Sequence, residues 1–317
     1  MNIILAVILL VGGLVILWKS AELLVTGAVG LARQFGISSL VVGLTVVAMG
    51  TSAPELAASI AAVVRDMGDT AIGNVYGSNI ANLALVGGLV ALIRPLRVKK
   101  QTLLREIPVM LLVALLLWPF LHDLYLSRAQ GFILLAVFAS LILLTVYAAK
   151  REAISNRQDS KYEIRDTKKN VLFVVIGLMG LALGADLALR GAVVIGDRVG
   201  LSKAVIGLTI IAFGTSLPEL ATCVVAAVKG HHDISIGNLV GSNIFNTLLV
   251  VGTAGVVRPF ALVEERLAGF DYWIMIIVSV AFALAVLIGK RIIGRVSGTL
   301  LLCGYIGYMV YLLVYSG

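Results

Sequence analysis

Apolar runs of membrane-spanning length recur along the whole chain, separated by short polar or charged turns. They divide it into ten segments at residues 2–32, 38–64, 71–93, 107–121, 131–149, 170–192, 204–228, 234–257, 270–289 and 296–315. In a bilayer the backbone has no water to bond, so each segment must be a helix. The second, third, seventh and eighth are rich in Gly and Ser, as helices packed tightly inside a bundle are. The pattern predicts an all-α polytopic membrane protein with ten transmembrane helices.

The chain also contains itself. Residues 41–96 align without a gap onto 205–260, with 28 identities in 56 positions at a constant offset of 164. The match extends back to place Glu22 over Asp186. A repeat of this length is a structural unit. Five helices per copy is an odd number, so the second copy enters the membrane from the opposite side, as two inverted-topology five-helix repeats. The expected division is a first repeat at 1–149, a cytoplasmic linker at 150–169 and a second repeat at 170–317.

Charge refines this picture. Only 13% of residues are charged, about half the share of an ordinary soluble domain. The net charge of +8 gathers in inter-helix segments rather than in a basic, aromatic-interleaved stripe, which argues against a nucleic-acid partner. With the N-terminus outside, the cytoplasmic loops hold 17 Lys and Arg and the outer loops hold 7. The reverse topology inverts that ratio, so both termini are expected outside the inner membrane. The first run lacks a basic n-region and a small-residue cleavage site, and reads as a retained helix. Polar, basic residues 150–170 read as a solvated linker, with anionic lipid headgroups as the alternative contact. Cys223 and Cys303 lie in apolar runs and read as small buried hydrophobes rather than a disulfide or metal pair.

Two stretches break the apolar text. "GTSAPEL" occupies Gly50–Leu56 and "GTSLPEL" occupies Gly214–Leu220. Pro54 lacks the N–H that would bond the Gly50 carbonyl, so the helix is expected to kink or break there and release carbonyls between Val47 and Thr51. Ala48 and Ala212 enter through those carbonyls. Thr51, Ser52 and Glu55 share one face of a turn, and Thr215, Ser216 and Glu219 repeat the set. The partner stretches "GNVYGSNIAN" and "GNLVGSNIFN" place Ser78 with Asn82, and Ser242 with Asn246, on common helix faces. The Gly73/Gly77 and Gly237/Gly241 spacings allow close helix approach. Asn74, Asn79, Asn238 and Asn243 either join the site or bond across helices. The convergent donors are oxygens, with neither Cys nor His, which suits a hard cation such as Ca²⁺ or Na⁺. Two intramembrane carboxylates without a nearby Lys or Arg in sequence need bound cations or protons.

At these residues the sequence resembles the cation/calcium exchanger superfamily, in particular its prokaryotic sodium/calcium exchanger-like members. The paired motifs and all ten segments carry the resemblance. It implies a secondary antiporter that exchanges Ca²⁺ for Na⁺ by alternating access, with ion sites between helices 2, 3, 7 and 8. By motif, Glu55 and Glu219 would be the principal Ca²⁺ ligands, with backbone carbonyls from Thr51 and Thr215. Ser52, Ser78, Ser216 and Ser242, with the Ala48 and Ala212 carbonyls, would line flanking Na⁺ positions. Ala53 stands where the signature commonly has Leu, a packing change. Asn246 stands where potassium-dependent members have Asp, which leaves two site carboxylates and argues against potassium dependence. Exchange driven by H⁺, or of another divalent such as Mn²⁺ or Mg²⁺, is the rival within the class. A cation channel would need a symmetric oligomeric filter or charged rings. No enzyme is expected, because no Ser–His or Cys–His pair is evident and His122, His231 and His232 read as loop residues. No cofactor and no protein partner are implied; the partners are the transported ions and membrane lipid.

Overall fold

The computed structural model describes residues 2–156, 167–200 and 212–315. Its helices are α1 (Ile3–Phe35), α2 (Ser39–Thr51), α3 (Ala53–Val64), α4 (Gly68–Ile93), α5 (Thr102–Leu121) and α6 (Arg128–Asn156). The second half supplies α7 (Thr167–Arg198), α8 (Ala212–Thr215), α9 (Leu217–Val228), α10 (His232–Val257), α11 (Glu265–Ile288) and α12 (Arg295–Tyr315). Among the described residues eight helices are long and apolar enough to span a bilayer, and α2 with α3 makes a ninth, bent by 43°. The segment expected at 204–228 is described only from residue 212, so its first part lies outside the described residues.

The described ends of the expected linker are helical. Helix α6 runs on to Asn156 and α7 begins at Thr167, so residues 150–156 and 167–169 are helical rather than loop. The remaining linker positions lie outside the described residues. α1 closes with Gly36 at φ 64°, a left-handed cap whose N–H reaches the Ala32 and Arg33 carbonyls.

Burial inverts the soluble-protein order, because lipid rather than water surrounds the bundle. In their most apolar windows α4 and α10 are 78% and 72% buried, whereas α6 and α12 are only 11% buried. The interior helices are thus the Gly-, Ser- and Asn-rich ones, and the peripheral helices show Leu, Ile and Val to the surroundings. In lipid, apolar surface gains nothing by burial, and close packing with polar bonds does the holding.

Two long peripheral helices, α1 and α7, pack along their length on small residues. A Cβ on Gly13 would lie 2.5 Å from the Ala188 nitrogen, and one on Gly191 would lie 2.5 Å from the Ala6 carbonyl. A Cβ on Gly177 would lie 2.7 Å from the Leu24 nitrogen. The pairs 6–191, 13–188 and 24–177 run in opposite directions along the chain, so α1 and α7 are antiparallel.

Four short strands tie the ends of the bundle: β1 (Leu96–Arg97), β2 (Tyr125–Leu126), β3 (Phe260–Ala261) and β4 (Ile292–Ile293). β1 pairs antiparallel with β4, and β2 with β3. Each pair joins one strand from the first half of the chain to one from the second, so the halves interlock rather than sit side by side.

Candidate functional site

The two proline motifs break their helices at equivalent points. Ser52 sits at φ −85°, ψ 6° between α2 and α3, and Ser216 at φ −88°, ψ 4° between α8 and α9. Pro54 and Pro218 then fall in the first turn of the new helix, where a missing N–H costs nothing. The break is therefore at the serine, not at the preceding glycine. Gly50 and Gly214 answer to packing instead. A Cβ on Gly50 would lie 2.3 Å from the Leu178 side chain, and one on Gly214 2.7 Å from Leu189, both on α7. The Ala48 carbonyl is not released either. It accepts the Ser52 N–H at 3.0 Å and faces the Thr51 hydroxyl at 3.3 Å. Ala212 begins α8, and its side chain lies outside the described residues.

The breaks bring both glutamates into the dry centre. Glu55 and Glu219 are each 0% exposed. Glu219 Oε1 accepts from the Ser52 hydroxyl at 3.3 Å, a bond from one motif to the other. Glu55 Oε1 accepts from the Ser78 hydroxyl at 3.4 Å. Their Oε2 atoms are buried without a hydrogen-bond partner, and no Lys, Arg or His pairs with either carboxylate among the described residues. Asn82 and Asn246 are also 0% exposed, with both amide atoms of each unpartnered. Ser216, 1% exposed, adds an unpartnered hydroxyl. Buried polar atoms in native proteins are nearly always bonded, so this concentration of oxygens marks a place built to hold something.

Around it, the other asparagines form a scaffold that repeats between the halves. Asn74 Nδ2 donates to Ser59 Oγ at 2.9 Å, and Asn238 Nδ2 to Cys223 Sγ at 3.4 Å. Ser59 Oγ donates to the Ala71 carbonyl at 3.3 Å, and Cys223 Sγ to the Ser235 carbonyl at 3.5 Å. Asn79 and Asn243 reach methionine sulfurs, Met275 at 3.5 Å and Met110 at 3.8 Å. These four asparagines therefore bond across helices. Cys223 is buried as expected but acts as a hydrogen-bonding partner, whereas Cys303 is exposed, contrary to the reading of both as buried. In a helix that faces lipid, an apolar side chain is not an inward one.

The scaffold's symmetry is broken at the oxygens that matter most. Ser52 reaches Glu219, but its counterpart Ser216 reaches nothing among the described residues. Ser78 reaches Glu55, whereas Ser242 turns to Asn238 Oδ1 at 3.4 Å, beside the Thr51 hydroxyl at 3.0 Å. The glycine pairs differ too. A Cβ on Gly237 or Gly241 would lie 2.7–2.9 Å from backbone of α2 at Leu40 and Leu44, as the close-approach spacing required. Gly73 and Gly77 meet nothing within 4 Å among the described residues. The equivalent partner positions lie outside the described residues.

Gly73 and Gly77 line a cavity of about 350 Å³, together with Asn74 and Thr215. Its far wall carries Asp271, 2% exposed, which the Arg266 guanidinium meets at 2.8 Å and the Tyr308 hydroxyl at 3.0 Å. Sequence reading passed over Asp271. It stands alone in an apolar run with no repeat partner, and only its burial beside the site draws notice.

The same family model, described as sodium/calcium exchanger protein, matches residues 5–147 and again residues 169–314. The chain belongs to the sodium/calcium exchanger family. It is 42% identical to the putative antiporter CaxA of Alkalimonas amylolytica over 98% of this chain and 99% of that one. It is 31% identical to the sodium/calcium exchanger MaX1 of Methanosarcina acetivorans, over 96% of this chain and 97% of the other. The solved structure of the sodium-calcium exchanger NCX_Mj soaked with zero Na⁺ and Ca²⁺ superposes with a TM-score of 0.84 at 31% identity, covering 98% of this chain and all of that one. Membership makes this chain a multi-pass membrane transporter of the cation-exchanging kind, as its motifs led one to expect.

Proposed function

We propose that this protein exchanges Ca²⁺ for Na⁺ by alternating access, with Glu55 and Glu219 as a shared pair of ligands for both ions. The observation that carries the reading is the cluster of fully buried, unpartnered oxygens on Glu55, Glu219, Asn82 and Asn246. Two carboxylates at such depth need about two compensating positive charges, which one Ca²⁺ or two Na⁺ supply. The surrounding hydroxyls and amides, Ser52, Ser78, Ser216, Ser242, Asn82 and Asn246, are neutral oxygen donors suited to Na⁺. The carbonyls of Thr51, Thr215 and Ala212 complete the set, whereas that of Ala48 already accepts the Ser52 N–H and the Thr51 hydroxyl. A proton needs only the carboxylates, so the neutral donors favour Na⁺ coupling over H⁺. Asn246, in place of an acid, favours independence from potassium.

Alternating access is supported by the two-fold character of the chain. Ten helices in two inverted repeats, 1–149 and 170–317, fit the antiparallel packing of α1 on α7, whose Glu22 and Asp186 are equivalent positions. The paired β1–β4 and β2–β3 ties and the double family match point the same way. Each glutamate accepts one serine hydroxyl, but from non-equivalent serines, Ser52 at Glu219 and Ser78 at Glu55, and a site leaning to one side would have this asymmetry. The cavity at Asn74, Thr215 and Asp271 provides room for ion access on one side of it. We place the protein in the inner membrane with both termini outside, from the distribution of Lys and Arg.

Radiocalcium uptake by proteoliposomes, with Na⁺, K⁺ and H⁺ gradients imposed one at a time, tests the reading. An outward Na⁺ gradient alone should drive uptake. With three Na⁺ per Ca²⁺, a valinomycin-set potential should also shift flux at a fixed Na⁺ gradient, at about 2.3 kcal/mol per charge per 100 mV. Uptake that ignores Na⁺ and follows H⁺ would transfer the assignment to proton-coupled exchange.

A further inference from the structure

The end of the bundle that carries the β1–β4 tie holds a second cavity, of about 450 Å³, away from the two glutamates. Its walls carry Arg97, Lys99, His231, His232, Lys290 and Arg291. Among the described residues Asp233 is the one acid lining it, and Lys99 already holds that carboxylate at 2.6 Å. Arg97, Lys290 and Arg291 have no carboxylate partner among the described residues. Arg97, Lys99, Lys290 and Arg291 are exposed, yet they stand around one concavity, where like charges repel and an anion is attracted.

Three further features converge on the same space. Lys290 and Arg291 adopt φ 51° and 71°, left-handed backbone that side-chain-bearing residues rarely take. Strain of this kind persists where the surroundings hold it, and it turns both basic residues beside the cavity. The N-terminus of α10 opens into the cavity at His231–Asp233, and no side chain caps it. Its free amides and positive dipole end add to the cationic walls. Lastly, the walls come from both halves of the chain. Arg97 stands opposite Ile292 in the β1–β4 pair, and the Val98 N–H donates to the Arg291 carbonyl at 2.8 Å.

We propose that this cavity is a phosphate-binding site, whose occupant, a soluble phosphate or an anionic lipid headgroup, bridges the two halves through Arg97 on one side and Lys290, Arg291 and the α10 N-terminus on the other. A tetrahedral oxyanion matches the chemistry. It accepts from guanidinium, ammonium and backbone N–H donors at once, and charge-assisted bonds of this type are the strong ones. Because it crosses the β1–β4 tie, the bound anion stabilises the arrangement described here against any rearrangement that parts the strands. The site shares no residue with the ion-exchange reading and stands or falls separately.

The test uses the full chain in nanodiscs of phosphatidylcholine, in calcium-free buffer, with thermal unfolding followed by intrinsic fluorescence. One arm titrates inorganic phosphate against chloride at matched ionic strength; the other replaces part of the lipid with phosphatidylglycerol. Stabilisation in the first arm identifies a soluble phosphate, and stabilisation in the second alone identifies a headgroup. Lys290→Gly with Arg291→Gly removes two cations and relaxes the backbone, and should weaken the midpoint by at least about tenfold. Arg97→Gln, which leaves those turns intact, should weaken it in the same direction and decides the matter if the double variant fails to fold. Absence of stabilisation in both arms overturns the proposal. So does an equal effect of chloride, or an undiminished effect in the variants. Radiocalcium exchange by the same preparations reports on the transport reading independently.

Discussion

Replacing Glu219 by Gln tests the centre of the structure most directly. The change keeps the shape of the side chain and removes one of two buried negative charges. A carboxylate at about 2.4 Å from Ca²⁺, in an effective dielectric of about 20, attracts it by roughly 14 kcal/mol before dehydration is counted. Stripping the ion of water offsets most of that. Truncation of one partner in a buried charge pair typically leaves a net loss of about 2–5 kcal/mol, or roughly 30-fold to 5,000-fold in affinity. The fold itself should survive. Ser52 can still donate to the amide oxygen in place of Glu219 Oε1, which it now meets at 3.3 Å. The new NH₂ takes the position of Oε2, which has no protein partner, so it costs about 1–3 kcal/mol as an unmet donor. Relief of repulsion from Glu55 offsets that cost. Calcium-dependent thermal stabilisation of the detergent-purified protein, followed by radiocalcium uptake in proteoliposomes, gives the readout. Glu219→Gln should fold, elute as one species, lose its response to Ca²⁺ and abolish exchange, and Glu55→Gln should behave alike. Near-normal exchange by either folded variant would refute the shared-pair reasoning.

The arrangement of the bundle has other consequences. Exchange should continue when potassium is removed, and Asn246→Asp should change ion selectivity more than folding; loss of wild-type uptake in potassium-free medium would contradict the two-carboxylate site. In a Cys303→Ser background, a cysteine at Arg65 should label only from outside and one at its repeat counterpart Lys229 only from the cytoplasm. Labelling of both from one side would remove the inverted repeat. Burial, aided by Arg33 and Lys229, holds the His231 imidazole below the usual histidine value of 6.5. The unfolded chain then binds the proton first, so stability is full above about pH 6.5 and falls as pH drops through that value towards the lowered folded value. Thermal melts across pH 5–8 should show the decline, and His231→Gln should flatten it.

Sequence alone determined the membrane class, the interior position of the Gly- and Ser-rich helices, the internal repeat and the pair of buried glutamates. Each is a property of spacing or transfer energy: twenty apolar residues span a bilayer wherever they occur, and a Glu-Pro pair inside one is anomalous without any partner in view. Tertiary structure decided which atoms meet. The helix breaks fall at Ser52 and Ser216 because Pro is accommodated in the first turn of the following helix, and Gly50 and Gly214 are small because α7 side chains press on them. Asn74 and Asn238 become scaffold while Asn82 and Asn246 present unmet amides, a division that identical residue types cannot reveal. Asp271 and the basic cavity at β1–β4 were illegible for the same reason. Their surroundings come from positions far apart along the chain, and only the interlocking of the halves sets Arg97 beside Arg291 and Asp271 in one cavity with Asn74 and Gly77. Local periodicity fixes what a segment must be, whereas proximity between distant segments is a consequence of packing the whole.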